Sequence, residues 1–326
     1  MKEVCCLMSL RLPEDSLETF LETSSAPFAG LDIHVDGPFD IEATLECGQT
    51  FGWSKLGSDS GIPWYKGVIG SLGLLICFDR TSSTLRVLYD PRDLKDSDLT
   101  MEPSCSLPQT ISSYFSLDDD VESICEFLAT DPAIRAAVSY GYGLRILRQD
   151  PWECLVSYIT STMNNIPAIC KITRYFRETL GEPVGFGEYT FPTPEKFLEA
   201  GHHCVRDSRC GFRSGYIMDA AEKLVRGEVD LDLLHGISSA EARDELQKIK
   251  GVGPKVADCV LLFGYHRLDV FPVDRWVARA MSRLYSGGDQ MTEKKAREEG
   301  SRRFGPFAGY AQEYLFHYIR NQSDGR

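Results

Sequence analysis

Residues Leu246 to Trp276, LQKIKGVGPKVADCVLLFGYHRLDVFPVDRW, constrain the fold of this chain more than any other stretch. An amphipathic helix stops at Gly251, a tight Gly251-Val252-Gly253 turn follows, and a second helix begins near Pro254, making a hairpin over 246–262. Glycines on both sides of the valine permit positive φ and leave the turn without a covering side chain. Proline suits the first helical position, where its missing N–H has no intrahelical partner to lose. The turn therefore points N–H groups outward at a helix N-terminus, a site for an anion that needs close backbone approach. Lys255 and Cys259 follow at i and i+4, on one face of the second helix. Nineteen residues after Lys255, Asp274 in Pro272-Val273-Asp274-Arg275-Trp276 reads as the N-cap of another helix. Each has an ordinary reading: Lys255 touching an anion or solvent, Asp274 only capping, Cys259 filling core.

Composition bounds the rest. A chain of 326 residues suits two or three domains, and 43% hydrophobic residues supply a core. No apolar run approaches the ~20 residues that span a membrane. The start, MKEVCCLMSLRLPEDS, is too acidic and its apolar part too short for a signal peptide. Eleven cysteines without pairing rhythm fit a reducing compartment, so the cytoplasm is expected and secretion is not. The net charge of −13 is unevenly spread: residues 1–130 carry 8 Lys and Arg against 22 Asp and Glu, and residues 131–326 carry 27 against 26. The hairpin half is thus balanced, and can hold a polyanion through backbone amides and a few placed arginines, with a shallow salt dependence.

Residues from about 30 to 117 read as β-rich, in alternating stretches such as WYKGVIG, GLLICFD and TLRVLYD. Residues 55–63 carry turn chemistry, and the segment from Asp90 to Pro108 is polar and irregular. From Leu117 the period changes, with Asp118-Asp119-Asp120 offering caps before VESICEFLAT. Helices are expected over Pro151–Met163, Pro167–Leu180, Pro194–Ala200, Arg213–Arg226, Ser239–Lys250, Pro254–Phe263, Arg275–Tyr285, Thr292–Phe304 and Gly309–Arg320. The fold class is α+β, with a sheet domain over 1–117 and a helical domain over 118–326.

The Gly-x-Gly-x-Lys turn with its Pro-Val-Asp cap resembles the helix-hairpin-helix, Gly/Pro-Asp superfamily of DNA base-excision glycosylases. Within it, GVGPKVADC…FPVD is similar to the 8-oxoguanine DNA glycosylases. YGLRILRQDPWECLVSYITSTMNNIP, GPFAGYAQEYLF and LECGQTFGW resemble further segments of that family. The resemblance implies a twisted antiparallel sheet domain, then two helical lobes with a cleft between them. It also implies a monomer acting on damaged double-stranded DNA in base-excision repair, in the nucleoid or the nucleus, by glycosylase and lyase steps. Lys255 takes the role of nucleophile and Asp274 that of catalytic carboxylate. Gly251, Gly253, Val256 and Trp276 take the DNA backbone.

The chemistry is consistent with those residue types. Breaking the N-glycosidic bond builds positive charge on the sugar. A lysine amine attacks C1′ only as the free base, which desolvation near a helix N-terminus favours and a neighbouring carboxylate opposes. Asp274 would steer the amine and stabilise the cationic sugar. The resulting Schiff base permits β-elimination of the 3′ phosphate. The base must first leave the stack. Gln312 and Phe316 share a helix face at i and i+4; by resemblance Gln312 reads the Watson–Crick edge and Phe316 stacks on the purine, with Cys259 opposite. Without it, Gln312 is surface and Phe316 core. 8-Oxoguanine carries N7–H where guanine has an acceptor, so one backbone carbonyl separates them by about 1–3 kcal/mol. Resemblance assigns that carbonyl to Gly48, otherwise a turn glycine.

The loop STMNNIPAI departs from the family. The plug asparagine falls on Met163, and an arginine that reads the orphaned cytosine falls on Ala168. Met163 can wedge apolar bulk into the stack, with Asn164 a partial substitute. Phe212 and Arg213 match an aromatic wedge and a second cytosine-contacting arginine. A weakened preference for cytosine opposite the lesion is expected. His202, His203, Cys204 and Cys210 fit no common zinc spacing, and no metal is expected there. No cysteine follows Cys259, so no iron–sulfur cluster and no required cofactor are expected. The carbonyls of Gln247, Ile249 and Val252 leave open a monovalent cation. The alternatives are a non-catalytic hairpin DNA-binding protein, or a glycosylase of this superfamily for another damaged base.

Overall fold

The computed structural model describes residues 28–59, 61–94, 106–287 and 289–323. The N-terminal segment weighed as a signal peptide, and residues 95–105 of the polar passage, lie outside the described residues. Strand β1 (Ala29–His34) is followed by helix α1 (Ile41–Glu46) and strands β2 (Ser54–Asp59), β3 (Ile62–Ile69), β4 (Leu72–Asp79) and β5 (Thr84–Tyr89). They form one antiparallel five-stranded sheet in the order β1-β5-β4-β3-β2. The sequence LGLLICFD explains why β4 sits at its centre, because both of its faces are apolar. Leu74, Ile76 and Phe78 meet α1 and helix α2 (Leu107–Tyr114) on one side. Leu75 and Cys77 meet Phe186 on the other.

Three local expectations are corrected here. Residues 55–59, read as turn, continue β2, with a register shift between Lys55 and Gly57 absorbing the glycine. Residues 41–46, read within a β-rich region, form α1 because Asp40 accepts from the Ala43 N–H at 3.0 Å. Helical structure resumes at Leu107, ahead of Leu117, where Ser106 and Gln109 close a capping box.

The helical part comprises α3 (Val121–Ala129), α4 (Arg135–Tyr140), α5 (Pro151–Ser161) and α6 (Ile166–Leu180), then a short β6 (Pro183–Val184) and β7 (Glu188–Tyr189) ribbon. It continues with α7 (Pro194–Asp207), α8 (Arg213–Val225), α9 (Ser239–Leu246), α10 (Pro254–Tyr265), α11 (Arg275–Tyr285), α12 (Glu293–Phe304) and α13 (Ala308–Ser323). Helix α7 runs past the expected stop at Ala200, with a break at Gly201, where φ is +74°. Helix α9 ends before the expected Lys250, at Leu246.

Two buried polar groups join sheet and helices. Arg145 is 0% exposed. Its guanidinium donates to the carbonyls of Pro38 (3.2 Å), Ser116 (2.6 Å), Asp119 (3.1 Å) and Asp36 (3.2 Å). Gln49 donates to the carbonyls of Thr44 and Arg145, each at 2.8 Å, and accepts the Leu147 N–H at 2.9 Å. Its own carbonyl accepts from Gln149 Nε2 (2.8 Å) and Tyr158 OH (3.2 Å). The Gly48 turn is thereby held against α5. Behind α10, fully buried Asp258 ion-pairs with Arg243 (2.5 Å) and Arg297 (2.8 Å) and fixes the helix that carries Lys255.

Candidate active site

Where the Gly48 turn, α5, α10, α11 and α13 meet, they enclose a cavity of about 320 Å3. Its apolar walls are Phe51, Ile166, Ile169, Cys259, Phe263 and Phe316; its polar groups include Ser161, Lys255, Asp274, Gln312, Glu313 and Arg320. A groove of about 870 Å3 lies beside it, lined by Met163, Gly251, Gly253, Val256 and Arg275 among others. Ser161, Asn164, Asn165, Lys255, Asp274 and Trp276 line both. An apolar chamber for a flat ring thus adjoins an open channel floored by bare backbone, with the amine and carboxylate at their junction.

Lys255 sits in the first turn of α10, its Nζ donating to Ser161 Oγ at 3.3 Å and lying 4.9 Å from the centre of the Tyr158 ring. Asp274 is the N-cap of α11, and its Oδ1 accepts from the N–H groups of Trp276 (2.9 Å) and Val277 (2.8 Å). The capping reading is therefore correct, and it is compatible with a place in the cavity, because the cap uses one carboxylate oxygen. Cys259 is 3% exposed, and burial pushes its thiol up to about 12, with the Lys255 charge opposing. It is a soft wall and stays protonated.

The hairpin departs from its expected geometry at one glycine. Gly251 has φ +80°, and a Cβ there would run into the Tyr216 ring of α8. Gly253, expected also to use positive φ, caps α10 at φ −94°. Its lack of a side chain acts differently: nothing occupies the space above it, so the first N–H groups of α10 stay open to the groove. In the neighbouring carbonyl rim, Ile249 accepts the Val252 N–H at 3.1 Å and Lys248 accepts from Lys223 Nζ. The Lys223 ammonium thus sits on the Lys248 carbonyl, beside the three carbonyls named for a monovalent cation and not on any of them.

Gly48 has φ +105°, and a Cβ there would lie 2.8 Å from Ile166 Cδ1. Gln312 is 5% exposed, and its buried Oε1 has no hydrogen-bond partner. Gln312, Phe316, Cys259 and Gly48 are thus brought together with Lys255 and Asp274 in one chamber. Of the loop and wedge residues, Asn164 lines the chamber, Met163 lines only the groove, and Phe212 and Arg213 line neither. Met163 is 83% exposed with φ +51°, while Asn164 donates to the Thr160 carbonyl at 3.1 Å. Phe212 is 55% exposed and lines a shallow depression with His202 and Arg206, outside both cavity and groove. Arg213 spends its guanidinium on the carbonyls of Cys210 (3.0 Å), Thr162 (2.8 Å) and Met163 (3.0 Å). In this state it braces the exposed Met163 loop. Ala168 lies in the first turn of α6, its N–H donating to the Asn165 cap at 3.0 Å. Cys210 is buried with its Sγ on the Val205 carbonyl, and His203 is on the surface beside Asp207. Among the described residues no group of three or more His, Cys, Asp and Glu is arranged for a metal.

Glu313 escaped the sequence reading, although a carboxylate inside the apolar run AGYAQEYLF was a visible signal. It is 2% exposed with Oε1 unpartnered. Burial pushes its carboxyl up to about 7; a hydrogen bond with Cys47 and the charge of Arg320 pull the other way. A raised carboxyl pKa contributes stability that is full below the unfolded value and is lost as pH rises through about 7. Glu313→Gln removes that loss. Thermal melts from about pH 5 to about pH 8 are expected to show the wild type weakening more than the variant, and parallel curves would contradict this.

Residues 33–155 match the family described as 8-oxoguanine DNA glycosylase, N-terminal domain. Residues 156–306 match the HhH-GPD superfamily base excision DNA repair protein family. A probable N-glycosylase/DNA lyase of Methanothermobacter thermautotrophicus is 28% identical, over 87% of this chain and 94% of that protein. The solved structure of MBOgg1 in complex with a low-affinity DNA ligand superposes with TM-score 0.80 at 36% identity, covering 90% of this chain and 96% of that one. The Clostridium acetobutylicum 8-oxoguanine glycosylase/lyase bound to double-stranded DNA with cytosine opposite 8-oxoguanine superposes with TM-score 0.77 at 31% identity, covering 90% and 98%. Both matched regions adjoin, both structural neighbours are aligned over nearly their whole length, and the sheet-then-helices architecture is common ground. The chain belongs to the 8-oxoguanine DNA glycosylases of the HhH-GPD base-excision repair superfamily.

Proposed function

We propose that this protein excises 8-oxoguanine from double-stranded DNA and cleaves the strand, with Lys255 as nucleophile. The observation that carries the reading is the place of Lys255 and Asp274, at the one junction of an apolar chamber and a groove floored by open hairpin amides. The groove takes the phosphate backbone on the amides of Gly251, Gly253 and Val256 and on Trp276, and the flipped purine enters the chamber between Cys259 and Phe316. Lys255 Nζ forms a bond to C1′ as the C1′–N9 bond breaks, and the electron pair leaves with the base, which takes up a proton. Asp274 opposes the positive charge that builds on the sugar. The attached nitrogen gives up a proton, its lone pair forms the C1′=N bond as the C1′–O4′ bond breaks, and O4′ takes up a proton, which opens the sugar ring to the Schiff base; removal of a C2′ proton then expels the 3′ phosphate. The partnerless Gln312 Oε1 supports a role as acceptor for the guanine N1–H and N2–H donors, because binding would satisfy an atom that is otherwise orphaned. The Gly48 carbonyl is proposed to accept N7–H. No cofactor and no iron–sulfur cluster enter this scheme.

Opposite-base selection is proposed to be relaxed, since Met163 offers apolar bulk, Ala168 offers no donor, and Arg213 is engaged with loop carbonyls. The test is excision from duplexes bearing 8-oxoguanine opposite C, A, G and T, beside other damaged bases. Release of 8-oxoguanine with strand scission is expected, with rates for the four partners within about 1–2 kcal/mol, the worth of one lost contact. Activity confined to cytosine would contradict the relaxed reading, and failure to release 8-oxoguanine would contradict the function.

A further inference from the structure

The turn that carries Gly48 is gripped from α13 by Arg320, a side chain with no role in the chemical steps, as well as by the purine-facing Phe316. Helix α1 ends at Glu46 with no basic residue in its last turn, so its final carbonyls need donors from elsewhere. Arg320 supplies them: its Nη1 donates to the Cys47 carbonyl at 2.8 Å and to the Glu46 carbonyl at 3.3 Å. Glu313, Phe316 and Arg320 follow one another at i, i+3 and i+7, on one stripe of α13. The Phe316 ring and Arg320 Nη1 lie 3.6 and 3.2 Å from where a Gly48 Cβ would stand, and the Cys47 thiol donates to the Thr44 carbonyl at 3.4 Å within the turn. From the far side Gln49 is locked to α5 and to the Arg145 segment. The peptide of Gly48, at positive φ, is therefore held between two rigid supports.

We propose that Arg320 is a positioning residue for base selection: by capping α1 from another domain's helix it fixes the direction of the Gly48 carbonyl, which separates oxidised from ordinary purine. This rests on the function proposed above. Arg320 and Lys255 both line the chamber, but Arg320 acts through the turn and not on the sugar. The two halves of the reaction should therefore respond differently. Release of 8-oxoguanine needs the carbonyl in place; scission at a pre-formed abasic site has no base to read and needs only Lys255 and the groove.

The experiment compares wild type, Arg320→Ala and Arg320→Lys on two duplexes, one with 8-oxoguanine and one with an abasic site. A reading group displaced by about 1 Å costs on the order of a hundredfold, so Arg320→Ala is expected to lose about ten- to a hundredfold in 8-oxoguanine release. Its abasic-site cleavage should stay within about twofold, the size of a change of about ±0.5 kcal/mol, because Arg320 lies outside the groove and Lys255 is held by Ser161. Arg320→Lys, which keeps one donor for the Cys47 carbonyl, should recover part of the loss. Equal loss on both duplexes would show a general effect on the fold or on Lys255 and overturns the proposal, as does unchanged 8-oxoguanine release in Arg320→Ala. A wild type that cleaves neither duplex overturns the proposed function itself, a result the variants cannot produce.

Discussion

Lys255→Gln is expected to abolish both base release and strand scission while leaving DNA affinity nearly unchanged. Glutamine keeps a polar side chain of similar width but has no amine to form the C1′ bond, and removing a covalent nucleophile costs at least about a thousandfold in rate. Binding should survive because the groove offers backbone N–H groups at Gly251, Gly253 and Val256, none of which depends on the lysine. The fold should survive too. Lys255 Nζ makes one long hydrogen bond, 3.3 Å to Ser161, and a ring contact with Tyr158, whereas α10 is held by the Asp258–Arg243–Arg297 cluster. Gel-shift titration, a thermal melt and a single-turnover excision assay separate these terms. Residual activity within about tenfold of wild type would mean that another group attacks the sugar.

The largest stability effect is expected at Arg145→Met. The arginine is fully buried and its guanidinium satisfies four backbone carbonyls drawn from both sides of the seam. Methionine fills much of the volume but donates nothing, so acceptors at Pro38, Asp36, Ser116 and Asp119 lose their partner inside the protein. Leaving a buried acceptor without its donor costs about 1–3 kcal/mol, so four such carbonyls, partly relaxed, cost about 3–5 kcal/mol together. For a chain of this size that corresponds to a fall in Tm of roughly 10 °C. Arg80→Met serves as the contrast: Arg80 is 65% exposed and pairs with Asp40 at 2.9 Å. Exposed pairs contribute about 0–1 kcal/mol, so its melt should barely move. Similar shifts for the two variants would contradict the role given to the Arg145 cluster.

The parts of this protein that were legible in its sequence are those where local chemistry and tertiary role coincide. The Gly251 turn, Pro254 and the Asp274 cap are written in residues with narrow backbone preferences, and they mark the hairpin unaided. Lys255 with Cys259, and Gln312 with Phe316, could be placed on common helix faces by spacing alone. That all four face one chamber with Gly48 required the fold, since Gly48 lies about two hundred residues away in sequence. Gly253 shows the opposite limit: a glycine in a turn invites an argument about φ, yet here the missing side chain matters only for access. Helix α1 was hidden because IEATLE is short and its cap and terminal donors come from Asp40 and distant Arg320. Arg145 was opaque, the carboxylate signal of Glu313 was passed over, and Arg213 was singled out by resemblance but without its loop-carbonyl partners, for a shared reason. The surroundings of a charged side chain are set by partners remote in the chain, which spacing along the sequence does not reveal.

The central claim is that the amine of residue 255 bonds covalently to the sugar of the damaged nucleotide. Sodium borohydride added during reaction with 8-oxoguanine duplex reduces a Schiff base to a stable adduct, and proteolysis with mass spectrometry locates the modified residue. The account predicts a nucleotide-bearing peptide containing Lys255 in the wild type and no adduct in Lys255→Gln; an adduct mapped to any other residue, or base release with nothing trapped, would contradict it.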